Sequence, residues 1–317
     1  DEVYEPYPTS EDVCAKEKCL CQNESGFNTS EFFVGDKPGC MLQIPAGGKA
    51  FLMGSDSDDS FVMEQPSHWI TVADNFLIDK YEVTVAQYKR FLNDPENELW
   101  LPENAMNTDD ELGLEKCYGN DKYLEEWFGE YTNKAYLVNK TRENMPVTSV
   151  CWHAANAYCK WAGKRLPTEE EWEFAAKVSN DCVCNPTDTA CIETGKKCPD
   201  MPWGTGFWDS MNIAFQANYR NSGDPFEPSR LMKENFDPDI LKDLFPEPHL
   251  SPVGYFNGNK YDAFNSKDGK SPSGVYDMSG NAEEWVGTRF FYYSDLFQGG
   301  VPLPIGDQRT VRGGSWK

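Results

Sequence analysis

Apolar residues first cluster in short runs: Met41-Leu42-Gln43-Ile44-Pro45, Ala50-Phe51-Leu52-Met53-Gly54, Trp69-Ile70-Thr71-Val72 and Phe76-Leu77-Ile78-Asp79, separated by Gly, Ser and Asp turns. Runs of this kind predict short strands joined by loops. Helical spacing follows. Thr84 and Gln87 form a capping box ahead of Val85, Tyr88, Phe91 and Leu92, whose three- and four-residue spacing makes one apolar face. A second helix is expected from Ala154 to Ala162, ended by Gly163. A third is announced by Thr168 and Glu171 before Trp172, Ala175 and Ala176. Few helices and several short strands predict an irregular α+β fold.

The intervening segments lack this periodicity. Residues 94–145 and 178–201 are polar, and 225–252 is proline-rich with a mixed helical piece near Ile240 to Leu244, so all three read as surface insertions. Residues 1–39 are acidic and Cys-rich, as expected of a stapled N-terminal extension on a body, residues 40–317, that begins near Cys40. No internal repeat is visible.

Composition narrows the function. With 317 residues, 39% hydrophobic and 14% aromatic, the chain can fill a sizeable core. Against 29 basic residues stand 52 acidic ones, and the net charge of -23 repels phosphate backbones and anionic lipid, which argues against a nucleic-acid partner. No apolar run approaches the roughly eighteen residues of a membrane span. The chain starts at Asp1 without a Met or a hydrophobic leader, and reads as a mature protein relieved of its signal peptide.

Eleven cysteines sit mostly in Gly-, Asn- and Asp-rich surroundings, as disulfides do, and the odd count leaves at least one thiol free or bonded elsewhere. Sequons at Asn23, Asn28 and Asn139 point, with the cysteines, to glycosylation and the secretory pathway. The rival reading is zinc on Cys182, Cys184, Cys191 and Cys198, which the absence of a C-x2-C knuckle weighs against. His68, His153 and His249 are scattered without metal-ligand spacing and read as structural. Trp152, Trp161 and Trp172 read as core, whereas Phe290, Phe291, Tyr292 and Tyr293 are harder to bury together and are candidates for a ligand surface.

Several motifs occur in a fixed order. They are Ile44-Pro45-Ala46-Gly47-Gly48 leading to Phe51-Leu52-Met53-Gly54, then Glu64-Gln65-Pro66-Ser67-His68, then Ile78-Asp79-Lys80-Tyr81-Glu82-Val83-Thr84. The most specific block runs from Ala157 to Glu173 through Gly163-Lys164-Arg165-Leu166-Pro167-Thr168. Pro202-Trp203-Gly204, Ala217-Asn218-Tyr219, Gly274 to Val286 and Arg312-Gly313-Gly314-Ser315-Trp316 complete the set. In this order they resemble the formylglycine-generating-enzyme family, over roughly residues 40–317. The resemblance implies a variant of the C-type-lectin-like architecture.

It also implies sites. One structural calcium is expected on Asn218, the Tyr219 carbonyl, Asp224 and the Phe226 carbonyl, and another on Asp277, the Gly280 and Ala282 carbonyls and Glu284. Read without the resemblance, the same loops are Asx turns. Catalytic members of the family bind copper(I) through two cysteine thiolates just after the Arg-Gly-Gly-Ser segment and use oxygen to convert a substrate cysteine into formylglycine. Here those positions would follow Lys317, no cysteine in the sequence matches them, and either more chain beyond that residue or another segment filling its place is expected. Cys159 matches a disulfide cysteine of the family whose partner would also lie there.

Glu283 stands where catalytic members carry an aromatic residue walling the active site; with Arg312 and Ser315 it marks a candidate pocket, although the last two also suit closure of the core. Glu283 and the scarcity of basic residues favour a secreted, calcium-stabilised, non-catalytic module that binds a protein or glycan outside the cell or joins an extracellular assembly. The copper-dependent oxidase acting on sulfatase-like substrates stands as the alternative, and a structural component making contact through residues 1–39 as a third reading.

Overall fold

The computed structural model describes residues 41–58, 60–94, 145–148, 150–195, 197–199, 201–204, 215–219, 250–261, 264–297 and 308–315. The N-terminal extension, the sequons at Asn23, Asn28 and Asn139, the helical piece near Ile240, His249, Asp224 and Phe226, and almost all of the insertions at 94–145 and 225–252 lie outside the described residues.

Strands β1 (Met41–Ile44), β2 (Lys49–Met53), β3 (His68–Val72) and β4 (Phe76–Asp79) pair as two antiparallel ribbons, β1 with β4 and β2 with β3. Met41 faces Asp79 and Ile44 faces Phe76 in the first, and Phe51 faces Ile70 in the second. Helix α1 (Val85–Asn93) starts on the expected box: Thr84 Oγ1 accepts the Gln87 N–H at 3.2 Å, while Gln87 Oε1 accepts the Thr84 N–H at 2.8 Å. Helix α2 runs Trp152–Trp161, two residues ahead of the expected start, and α3 runs Glu169–Lys177 behind the Thr168–Glu171 box.

Further along come the short helix α4 (Thr189–Thr194), the ribbon of β5 (Lys260–Tyr261) with β6 (Phe264–Asn265), and the ribbon of β7 (Glu284–Arg289) with β8 (Arg309–Arg312). Among the described residues, helices and small two-stranded sheets are thus mixed, with few regular elements.

The main core gathers Ile44, Phe51, Met53, Phe76 and Ile78 from the first strands, Trp172, Phe174 and Ala175 from α3, and Val286 from β7. A satellite core under α1 and α2 holds Tyr88, Phe91, Ala157 and Tyr158. The sequence EEEWE at the start of α3 looks like a solvated face, yet Glu169, Glu171 and Glu173 are all buried. Each buried carboxylate needs a partner, and each has one. Arg165 grips Glu171 through both guanidinium nitrogens at 2.6 and 2.7 Å, and Arg312 reaches Glu169 and Glu173.

One sequence reading holds here and one changes. Cys182 pairs with Cys198 and Cys184 with Cys191 as disulfides, which excludes the zinc reading because the thiolates are consumed. Segment 178–201 also does more than lie on the surface: Val178, Cys182 and Cys198 are buried in the main core, and Cys184 bridges to Ala50 of β2. Cys151 is likewise disulfide-bonded, whereas Cys159 keeps a free thiol among the described residues, and burial pushes it up to about 12.

Candidate functional site

The loop from Asp277 to Glu284 connects the body of the protein to β7, and its backbone is unusual. Asp277, Gly280 and Asn281 all adopt positive φ, at 60°, 82° and 59°. Asn and Asp tolerate this region better than other side chains. Gly280 is required for a second reason: a Cβ there would come within 2.3 Å of the Asn218 carbonyl oxygen.

Asn281 organises the loop. Its Oδ1 accepts the Asn218 Nδ2 at 3.1 Å, the Ser251 N–H at 3.0 Å and the Ser251 hydroxyl at 3.3 Å. Its Nδ2 donates to Glu82 Oε2 at 2.7 Å, and its backbone N–H donates to the Asn218 carbonyl at 2.8 Å. The neighbouring Ala282 N–H donates to Glu82 Oε1 at 3.0 Å. Asn218, from the first expected calcium loop, is therefore bonded directly to the second loop. Tyr219 is half-buried beside it.

Three carboxylates share this buried region. Burial, with the charges of Asp277 and Glu284 alongside, drives the Glu82 carboxyl well above the usual carboxylate range, although the Ala282 and Asn281 N–H groups oppose the shift. Burial pushes Asp277 up to about 7 against the Gly254 N–H bonded at 2.6 Å. Burial and the Asp277 charge carry Glu284 to about 7 as well, opposed by Trp172 Nε1–H at 2.9 Å.

Asp277 accepts the Gly254 N–H on Oδ2 and Glu284 accepts the Trp172 indole N–H on Oε2, and Gly280 and Ala282 carry backbone carbonyls in the same loop. Hard oxygens are the donors that calcium takes, and a cation beside these like charges would offset the cost of enclosing them together. Among the described residues no three His, Cys, Asp or Glu side chains converge on one point, so a cation here would draw on backbone oxygens too.

The candidate pocket residues separate. Glu283 is exposed and Ser315 half-buried. Arg312, its side chain 16% exposed, binds Glu169 Oε1 at 3.3 Å and Glu173 Oε2, and its guanidinium lies over Trp172 at 5.3 Å. Lys177 Nζ reaches Glu173 Oε1 at 2.6 Å, and the Gly54 N–H donates to that oxygen at 2.8 Å. Tyr293, a ligand-surface candidate by sequence, is instead 2% exposed and donates its hydroxyl to Glu169 at 3.0 Å. Phe291 packs on the same core, which leaves Tyr292 as the exposed member of that group. His68 meets Tyr293 edge-on at 4.6 Å, consistent with a structural histidine.

Glu82 and the Glu169–Glu173–Arg312 network were missed by sequence reasoning. For Glu82 the local signal is an acid between the aromatic Tyr81 and the apolar Val83 in the short run from β4 to α1. Nothing local names its partner 199 residues away.

Against known proteins, residues 34–317 match the model of the sulfatase-modifying factor enzyme 1-like domain. The chain is 29% identical over 288 residues to the inactive C-alpha-formylglycine-generating enzyme 2 of Bos taurus, across 87% of this chain and 76% of that one. It is 25% identical over 294 residues to the formylglycine-generating enzyme of Bos taurus, across 88% and 66%. Among solved structures, PvdO from Pseudomonas aeruginosa aligns over 87% of this chain and 82% of its own at 21% identity, with a TM-score of 0.44.

Proposed function

Because the chain belongs to the sulfatase-modifying factor enzyme 1-like family, we propose that it is a secreted, non-catalytic member of it: a C-type-lectin-like scaffold stabilised by calcium, which binds a protein or glycan outside the cell. The observation that carries the calcium part is the loop that brings buried Asp277 and half-buried Glu284 into one electrostatic group with buried Glu82, which is bonded to the same loop through Asn281 and Ala282. Like charges enclosed together favour protonation unless a cation neutralises them. Asp277, Glu284 and the Gly280 and Ala282 carbonyls would hold one ion, and Asn218, Asp224 and the Tyr219 and Phe226 carbonyls another. Bound calcium supplies fixed positive charge, and the loop residues supply oxygens already oriented by the Asn281 network.

Support for a non-catalytic role comes from Glu283, an acid where the resemblance implies an aromatic wall, and from the likeness to a relative named as inactive. The disulfides at 182–198 and 184–191 support an oxidising compartment. Among the described residues no helix is long and apolar enough to cross a membrane. Calorimetric titration of the chelator-treated protein with calcium tests the metal reading: binding by the native chain that is lost in Asp277→Asn with Glu284→Gln supports it, and no heat of binding contradicts it. The rival, a copper-dependent oxidase, is decided by assay on a cysteine peptide.

A further inference from the structure

Between Gly54 and Ser67 the chain builds a compact loop out of its own polar groups. The Ser55 N–H donates to the Glu64 carbonyl at 2.9 Å, and Gln65 Nε2 donates to the Ser57 and Ser60 carbonyls, both at 3.0 Å. Glu64 Oε2 accepts the Phe61 N–H at 3.3 Å, and Asp56 Oδ1 accepts the Ser67 N–H at 2.9 Å. At its base Gly54 is fixed to buried Glu173, and no side chain fits there because a Cβ would meet the Glu64 carbonyl oxygen at 2.7 Å.

What this loop displays is apolar. Phe61 is 70% exposed, Val62 74% and Met63 45%. The three are consecutive: Phe61 caps the 3-10 turn Val62–Glu64, which packs beside the turn Tyr293–Phe297. A core-seeking triplet held outward by a hydrogen-bonded frame gains nothing for the fold, and it presents on the order of 300 Å² of surface, the size of a functional patch. That is well below the roughly 800 Å² per partner of a standard interface, so it suits a short segment of another protein. The frame also lowers the entropy lost on binding.

Charge selects the occupant. Asp56 and Asp58 are exposed on the same loop and Glu64 is half-buried at its end. Lys197, 3.9 Å from Asp56, is a cation of another segment that faces it. The chain as a whole carries -23. An apolar tip with an acidic surround complements an apolar residue cluster flanked by Lys or Arg, and repels an anionic bilayer.

We propose that Phe61, Val62 and Met63 form a docking tip for a protein segment in which apolar side chains are flanked by basic ones. The proposal rests on the reading of the chain as a binding module and names the surface used. The probe is a fluorescent synthetic peptide with a central Leu-Phe-Leu flanked on both sides by lysines, with a glutamate-flanked counterpart, against the full chain.

The lysine peptide is expected to bind, the glutamate peptide not, and Phe61→Ser with Val62→Ser is expected to weaken binding about ten-fold or more while the thermal midpoint stays unchanged. Because an acidic protein attracts any basic peptide, the loss in the variant decides. Equal binding by variant and native chain overturns the proposal, as does binding of neither peptide. A dimer or phosphatidylserine-vesicle binding that the variant abolishes overturns it too, in favour of a second copy or lipid. Oxidation of a cysteine peptide by the native chain would sink the non-catalytic reading without moving the docking result, so the two failures are distinguishable.

Discussion

Glu82 holds Asn281 across 199 residues of sequence, its Oε2 accepting the Asn281 Nδ2 at 2.7 Å while its Oε1 accepts the next N–H, that of Ala282, at 3.0 Å. One side chain thus fixes both the amide that organises the Asp277–Glu284 loop and the backbone from which β7 begins. Glu82→Ala is expected to destabilise the fold by about 2–4 kcal/mol, because it takes the acceptor of the Ala282 N–H and leaves the Asn281 Nδ2 with the Ser251 carbonyl at 3.3 Å. Glu82→Gln should cost less, since it removes a like charge from Asp277 and Glu284 yet keeps one acceptor. Urea denaturation of both variants measures the difference; equal losses would contradict this account of the clamp.

A second prediction concerns acid. Burial alone would raise the Glu173 carboxyl, but Arg312, Lys177 and the Gly54 N–H more than offset it and hold it below the ordinary value of 4.5. A depressed carboxylate adds stability above its unfolded pKa and loses it as pH falls through its folded pKa. Glu169 is raised, by burial first and despite Arg312 and Tyr293, and acts in the opposite sense. The Glu173 effect is therefore read as a difference: Glu173→Gln should be about 3–5 kcal/mol less stable than native near neutral pH. That gap should shrink as pH falls below about 4. A gap independent of pH would contradict it.

The cysteine reading is tested separately. The Cys182–Cys198 bridge spans 16 residues and lies inside the main core, so replacing both cysteines by alanine should cost about 2–4 kcal/mol, seen as a lower thermal midpoint. A zinc-selective chelator that spares calcium should leave the native midpoint where it is. A chelator-induced drop matching the effect of a reductant would mean that the thiols bind metal.

The sequence revealed local structure well and long-range structure poorly. Thr84 with Gln87 and Thr168 with Glu171 announced α1 and α3 because a capping box is complete within four consecutive residues. Helix α4 was hidden in a cysteine-rich segment, although Asp188 ahead of it and Gly195 after it, in left-handed conformation, are ordinary start and stop signals. Tyr293 was misread because its burial depends on a hydroxyl acceptor, Glu169, that lies 124 residues earlier. The candidate site was legible only as a motif: the order Asp277 to Glu284 could be recognised, but not that Glu82 sits behind it or that Asn218 bonds to Asn281.

Metal removal gives a further prediction. Removal of calcium from the native protein should lower its thermal midpoint, and added calcium should restore it, because buried Asp277 and half-buried Glu284 press like charges together. Asp277→Asn with Glu284→Gln should remove most of that response while leaving a chelator-treated fold at least as stable, since the like charges are gone. An undiminished calcium response in the double variant would place the ion elsewhere.

The non-catalytic reading is tested most directly by mass spectrometry of a cysteine-containing sulfatase-like peptide incubated with the natural protein, copper(I) and oxygen. The account predicts that the peptide keeps its thiol. Recovery of the peptide with that cysteine converted to formylglycine, in amounts exceeding the protein present, would contradict it and make the chain an oxidase.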